Sequence, residues 1–168
     1  MEPVSEARSA ALRLLKFRPR SEAELKGRLA EKGFGDETVQ AVVEEMRRIG
    51  LVGDARFARY AAAQAAAKPV GRRLILNRLK EKGITPEMAE EAVQAATQGK
   101  DELERAREAA GRRAAALQGL SRPAAQRRLF GYLSRRGFTS EVIYKVVREQ
   151  ALKGSDPAGS DPAGVSKL

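Results

Sequence analysis

Two stretches of the chain, 55–80 and 109–140, contain no acidic residue, and they concentrate the groups best placed to do chemistry. The first carries Arg56, Arg59, Lys68, Arg72, Arg73, Arg78 and Lys80, and the second carries Arg112, Arg113, Arg122, Arg127, Arg128, Arg135 and Arg136. Cations at this density neutralise phosphate or an acidic protein surface, and a guanidinium grips two oxygens at once with its planar fork. Over 168 residues there are 32 Lys and Arg against 22 Asp and Glu, a formal charge of +10. That excess grows along the chain, from +1 over 1–53 to +3 over 54–99 and +6 over 100–168. Any single arginine is most simply a solvated surface residue, but two long runs without one acid mark a surface kept basic for a partner. The expected contact set is Arg56, Arg59, Lys68, Arg72, Arg73, Lys80, Arg112, Arg113, Arg122, Arg127, Arg128 and Arg135.

Other chemistry is poorly supplied. The chain has no His and no Cys, which removes the imidazole base, the thiolate nucleophile and the commonest metal ligands. The carboxylate pairs Glu44–Glu45 and Glu90–Glu91 are sequence neighbours, so on a helix they point about 100° apart and cannot share a reacting group. Glycines are solitary, with no phosphate-cradling loop. We expect no catalytic residue, no metal and no cofactor. No run of apolar residues is long enough to span a membrane, and Met1-Glu2-Pro3-Val4 opens without a basic cap. A cytoplasmic monomer is the expectation.

The elements that must position the arginines emerge from an internal repeat. Pro19, Pro69 and Pro123 each follow a basic residue, and each precedes by 14 residues a glycine, Gly33, Gly83 or Gly137. Between them Leu25, Ile75 and Leu129 stand in register, as do Leu29, Leu79 and Leu133, and Lys32, Lys82 and Arg136. Each glycine is followed by Phe34, Ile84 or Phe138, and later by Val42-Val43, Ala92-Val93 or Val146-Val147. The pattern predicts three helices per unit. Ser21 and Glu24 form a capping box for a helix whose Leu25 and Leu29 share one face. Gly33 ends it as a left-handed cap, and Pro86 opens the helix after Thr85 at no cost in hydrogen bonds. First helices start at Asp54, as a helix cap, and at Asp101, where Glu104 completes a second box.

The predicted fold is all-α: a tandem array of three three-helix repeats, 1–53, 54–99 and 100–152, forming an elongated, curved body. A disordered tail is expected at 153–168, where Ser-Asp-Pro-Ala-Gly recurs. At 100° per residue, Arg73, Asn77 and Lys80 lie opposite Ile75 and Leu79 and should face solvent. The segment Arg72–Gln94 imitates a helix-turn-helix, but its second helix carries Glu87, Glu90 and Glu91, which phosphate would repel. Nucleic-acid contact would therefore use the basic first and second helices, on backbone rather than bases. Aromatic stacking for single strands is poorly supplied: Phe34, Phe57 and Phe138 fall at core positions, which leaves Tyr60, Tyr132 and Tyr144 as the few candidates, each more simply read as a rim or core residue.

The succession Arg20-Ser21, Glu24-Leu25, Leu29, Lys32-Gly33-Phe34, then Gly50-Leu51-Val52-Gly53-Asp54-Ala55-Arg56-Phe57-Ala58, Gly71-Arg72-Arg73, Leu79, Lys82-Gly83-Ile84 and Arg135-Arg136-Gly137-Phe138 resembles the RecX family. The likeness covers roughly residues 8 to 152. Many members carry two acids before the Arg-Phe-Ala segment, where this chain has Gly53-Asp54. The resemblance implies a non-enzymatic regulator that lies along the groove of the RecA filament and limits its assembly, ATP hydrolysis, strand exchange and co-protease function. It also leaves room for contact with single-stranded DNA in the filament. An autonomous, sequence-nonspecific nucleic-acid-binding protein using the same patches is the alternative.

Overall fold

The computed structural model describes residues 2–98 and 101–153. Nearly all of the expected 153–168 tail lies outside the described residues. Among the described residues there is no strand, and the helices fall into three successive groups of three. The first is α1 (Glu2–Phe17), α2 (Glu22–Ala30) and α3 (Asp36–Arg48), followed by α4 (Asp54–Ala66), α5 (Arg72–Glu81) and α6 (Pro86–Thr97). The third is α7 (Glu102–Arg113), α8 (Arg122–Arg135) and α9 (Ser140–Lys153), with a 3-10 turn, Ala114–Leu117, between α7 and α8. Each group encloses its own core.

Side-chain size explains how three short helices close around so little volume. Helices α1, α4 and α7 present small residues inward: Ala7, Ala10 and Ala11; Ala58 and Ala62; Ala106, Ala109 and Ala110. The third helices approach closely on these and fill the space with Val42, Val43 and Met46, with Ala92 and Val93, and with Ile143 and Val146. The middle helices contribute the leucine-spaced pairs Leu25 and Leu29, Ile75 and Leu79, and Leu129 and Leu133, all buried. Each such burial is worth about 2 kcal/mol relative to exposure. Three cores in succession, not one shared centre, make the body an extended array.

The turn glycines behave as the repeat predicts. Gly33, Gly83 and Gly137 have φ of 87°, 79° and 78°, the left-handed region an L side chain resists. Pro86 is in the first turn of α6, capped by the Thr85 hydroxyl accepting from Met88 N at 3.4 Å.

Three capping expectations change. Ser21 Oγ does accept from Glu24 N at 3.1 Å, but the Glu24 carboxylate turns to Arg18 and Arg20, so the box is only half formed. Asp101 is the residue before α7 but makes no side-chain cap bond there. Asp54 does not cap its own helix, since the capping residue of α4 is Gly53. Asp54 Oδ1 instead accepts from Glu22 N at 2.9 Å and caps α2 of the preceding repeat. The next repeat copies this device: Glu102 Oε1, in the first turn of α7, accepts from Arg72 N at 3.3 Å. Pro123 also departs from the pattern. Pro19 and Pro69 lie in the turn before the middle helix, whereas Pro123 is already within the first turn of α8, an allowed position for proline.

Candidate functional site

The middle helices decide which cations face outward. On α5, Ile75 and Leu79 are buried while Arg73, Asn77 and Lys80 are exposed, the division the helical period predicts. Arg59, Lys68, Arg73, Lys80, Arg122, Arg127, Arg128 and Arg135 are exposed, and among the described residues no acid pairs with them.

The remaining members of the expected set are engaged within the chain. Arg72 is partly buried and forms an ion pair with Glu90 of α6. Arg112 pairs with Glu108 one turn earlier, at 2.6 Å. Arg113 lies over the Tyr132 ring, 5.5 Å from its centre, and Arg56 donates to the Gly50 carbonyl at 3.4 Å. Exposed pairs of this kind contribute at most about 1 kcal/mol, so Arg112 can exchange its partner cheaply.

These residues do not form one site. Lys68 borders a cleft of about 410 Å³ between the first and second repeats, where Arg18, Arg78 and Lys82 join it beside Tyr60 and Gln64. Arg122 and Arg127 border a second cleft, of about 580 Å³, between α8 and α9. Lys80 stands apart over a smaller hollow with Glu90. Arg56 borders another, with Lys16 and Arg18.

Two arginines do something the sequence reading missed. Arg105 is 5% exposed, and its Nη1 donates to the Val70 carbonyl of the preceding repeat at 3.2 Å. Burial pulls its pKa down, although Glu102 and Asp101 oppose the shift. Arg136 Nη1 donates to the Pro69 carbonyl at 3.1 Å while its guanidinium covers the Tyr132 ring at 4.8 Å. Both tie the third repeat to the second. A signal for Arg105 was available: it is four residues before Ala109 and next to Ala106, on the face that is otherwise apolar. Arg136 gave no such signal, because its register partners Lys32 and Lys82 are exposed.

At the junction of the first two repeats, burial raises the Glu24 carboxyl. The hydrogen bond and charge of Arg18, with Lys82 and Arg20 adding, more than offset this and hold it below the usual carboxylate range. The bond to Glu24 in turn raises Arg18. Among the described residues, no cluster of acids, His or Cys could hold a metal ion, and no helix is long and apolar enough to cross a membrane.

Comparison with known proteins matches each group of helices separately. The model for the first three-helix domain of RecX matches residues 7–46, the second 54–93 and the third 100–147. The regulatory protein RecX of Thermobifida fusca is 33% identical over 145 residues, covering 86% of this chain and 78% of the relative. That of Syntrophotalea carbinolica is 34% identical over 153 residues, covering 89% and 99%. The crystal structure of RecX from Lactobacillus salivarius superposes with a TM-score of 0.73 at 20% identity, over 90% of this chain and 98% of that one. A second crystal structure, of a regulatory protein RecX, gives 0.76 at 20% identity, over 88% and 72%. The two superpositions carry the fold.

Proposed function

The chain belongs to the RecX family of regulatory proteins, and we propose that it acts without catalysis of its own, by docking on RecA nucleoprotein filaments and limiting their assembly, ATP hydrolysis, strand exchange and co-protease activity. The observation that carries this reading is the set of exposed cations, unpaired with any acid among the described residues, carried in separate patches on successive repeats of one extended body. A filament offers acidic protein surface and phosphate at intervals along its length. An array that presents Arg59 and Arg73 on one repeat and Arg127, Arg128 and Arg135 on the next can meet several of them at once. Inhibition then follows from occupying the filament, and the attraction weakens as salt screens it.

The test follows RecA-catalysed ATP hydrolysis on single-stranded DNA with the purified chain added at several salt concentrations. Inhibition that fades with salt is expected. Replacing Arg59, Arg73, Arg127 and Arg128 together by Glu should relieve it while leaving helix content unchanged, because all four side chains are exposed. Absence of inhibition at every salt concentration removes the proposal. The same unpaired cations also favour a second reading, direct binding to bare DNA. It fails if affinity is micromolar or weaker and disappears at moderate salt.

A further inference from the structure

The cleft between α8 and α9 differs in kind from the basic faces around it. Its floor is apolar, formed by Val147 and by Phe130 and Tyr144, whose rings lie 5.3 Å apart at 54°. Its rim carries Arg122, Arg127 and Arg148, all exposed, and among the described residues no acid lines it. Tyr144 is 65% exposed, a large aromatic surface left facing solvent. In the second repeat the same groove is strapped and narrowed to a hollow of about 130 Å³. In register, Gln126 stands where Arg72 does and Tyr144 where Glu90 does, and in the second repeat Arg72 and Glu90 join across the groove as an ion pair. In the third repeat both partners of that strap are replaced, one by an amide and one by an aromatic ring.

Among the described residues, the start of α8 also lacks the neighbouring repeat that covers its counterpart. In the second repeat, the start of α5 is held by the following repeat: Gly71 N donates to Arg136 O at 2.8 Å, and Leu74 lies against Gly137. The corresponding residues of α8 are Ala125, half-buried beside the 3-10 turn of its own repeat, and Arg128, which is exposed; among the described residues no further repeat meets them. Arg127 and Arg128 there point to solvent.

From this geometry we infer that the α8–α9 groove is a docking site for an acidic peptide segment that carries one large apolar side chain. The apolar side chain enters the cleft against Phe130, Tyr144 and Val147, and flanking carboxylates meet Arg122, Arg127 and Arg148. Charge complementarity selects an acidic partner, and the concave apolar floor selects a peptide over a nucleic acid. Successive bases need several open, flat aromatic faces on which to stack, whereas this groove offers one exposed ring, Tyr144, tilted against half-buried Phe130 at the wall of a hollow that admits an anchor residue. The inference goes beyond the filament reading, since the groove would accept such a segment whichever macromolecule the basic stretches meet.

The experiment uses the full chain and a short fluorescein-labelled peptide of Asp and Glu with one central Phe, followed by anisotropy. Two controls accompany it: the same peptide with Ala at its centre, and labelled oligothymidylate. The Phe peptide should bind, and its Ala counterpart should bind at least about tenfold more weakly. Tyr144→Ser and Arg148→Glu should each weaken the Phe peptide about tenfold with the circular dichroism unchanged, because both side chains are exposed. Arg48→Glu, an equally exposed arginine at the end of α3, should leave binding as it was. The proposal is overturned if the Phe peptide does not bind, or if it binds without regard to Tyr144 and Arg148. It is equally overturned if oligothymidylate alone loses affinity in those variants, which would make the groove a nucleic-acid site. Because RecA is absent throughout, failure here leaves the filament reading standing, and failure of RecA inhibition leaves the groove standing.

Discussion

The molecule joins its repeats twice, and the two joints are built differently. Between the second and third repeats, backbone meets backbone: Gly71 N donates to Arg136 O at 2.8 Å and Arg73 N to Gly137 O at 3.3 Å. Arg105 and Arg136 then clamp the Val70 and Pro69 carbonyls. Between the first and second repeats the principal link is the cap that Asp54 places on Glu22 N. Gly83 approaches Ala23 closely there, and a cleft of about 410 Å³ opens beside the contact. A glycine at position 71 lets the backbones touch, whereas Ser21, at the matching position, uses its hydroxyl to cap its own helix. The same repeat unit thus yields a tight joint or a loose one according to a few residues at the start of its middle helix. The second and third repeats should behave as one cooperative body, with the first attached more independently.

The largest effect that would break this comparison comes from the cores. Leu29→Ala and Leu133→Ala each remove a fully buried side chain and should cost about 2–5 kcal/mol. Their reach should differ. In hydrogen exchange, the change at Leu133 should speed exchange in α4–α6 as well as α7–α9, while that at Leu29 should act mainly on α1–α3. Equal spread from both sites would mean the joints are energetically alike.

A smaller effect isolates the tight joint itself. Gly71 has φ of −78°, which any L residue adopts, so Gly71→Ala introduces no backbone strain. Its Cβ, however, would collide with the Gly137 carbonyl. The cost should be about 1–3 kcal/mol, the range for overpacking. Its signature should be loss of cooperativity, with the third repeat melting separately from the second in calorimetry. A single unbroken transition would show that the glycine contact does not couple them.

Much of the interior was legible in the sequence because it is local. Leucines four apart, a glycine 14 residues after a proline and paired aliphatics all report contacts made within one repeat. They located the middle helices, the left-handed turns and the outward direction of Arg73 and Lys80. The joints were hidden because their partners belong to different repeats. Asp54 looks like a cap for the helix it begins, and only the packing of α4 against the start of α2 turns its carboxylate to Glu22. Arg136 reads as one more exposed cation until the Pro69 turn arrives beside it. The candidate surface was half legible for the same reason: charge density marked the stretches, but pairing with Glu90 and Glu108, and the separation into several clefts, depend on neighbours that periodicity does not encode. Phe130, Tyr144 and Val147 stand at helical spacings that also suit a core, so the apolar floor between α8 and α9 carried no distinctive signal.

The smallest predicted effect separates the joints by pH. Glu24 belongs to the loose joint, where Arg18 and Arg20 bind it and Lys82 of the next repeat acts on it from farther away. Its folded pKa is depressed, so the folded state favours the ionised carboxylate. The resulting stabilisation is complete above the unfolded value of about 4.3 and is lost as pH falls through the lower folded value. Since Arg18 is 38% exposed, solvent screening keeps the contribution to about 1 kcal/mol or less. The second joint also has a carboxylate, Glu102 on Arg72 N, but four further bonds, from Gly71, Arg73, Arg105 and Arg136 to carbonyls, hold it beside that cap, so acid should loosen the first joint more than the second. Stability measured from pH 6 down to 3 should therefore fall less in Glu24→Gln than in the parent, with the difference confined to the exchange of α1–α3. If the two proteins lose stability in parallel, Glu24 is not the group that makes the loose joint acid-sensitive.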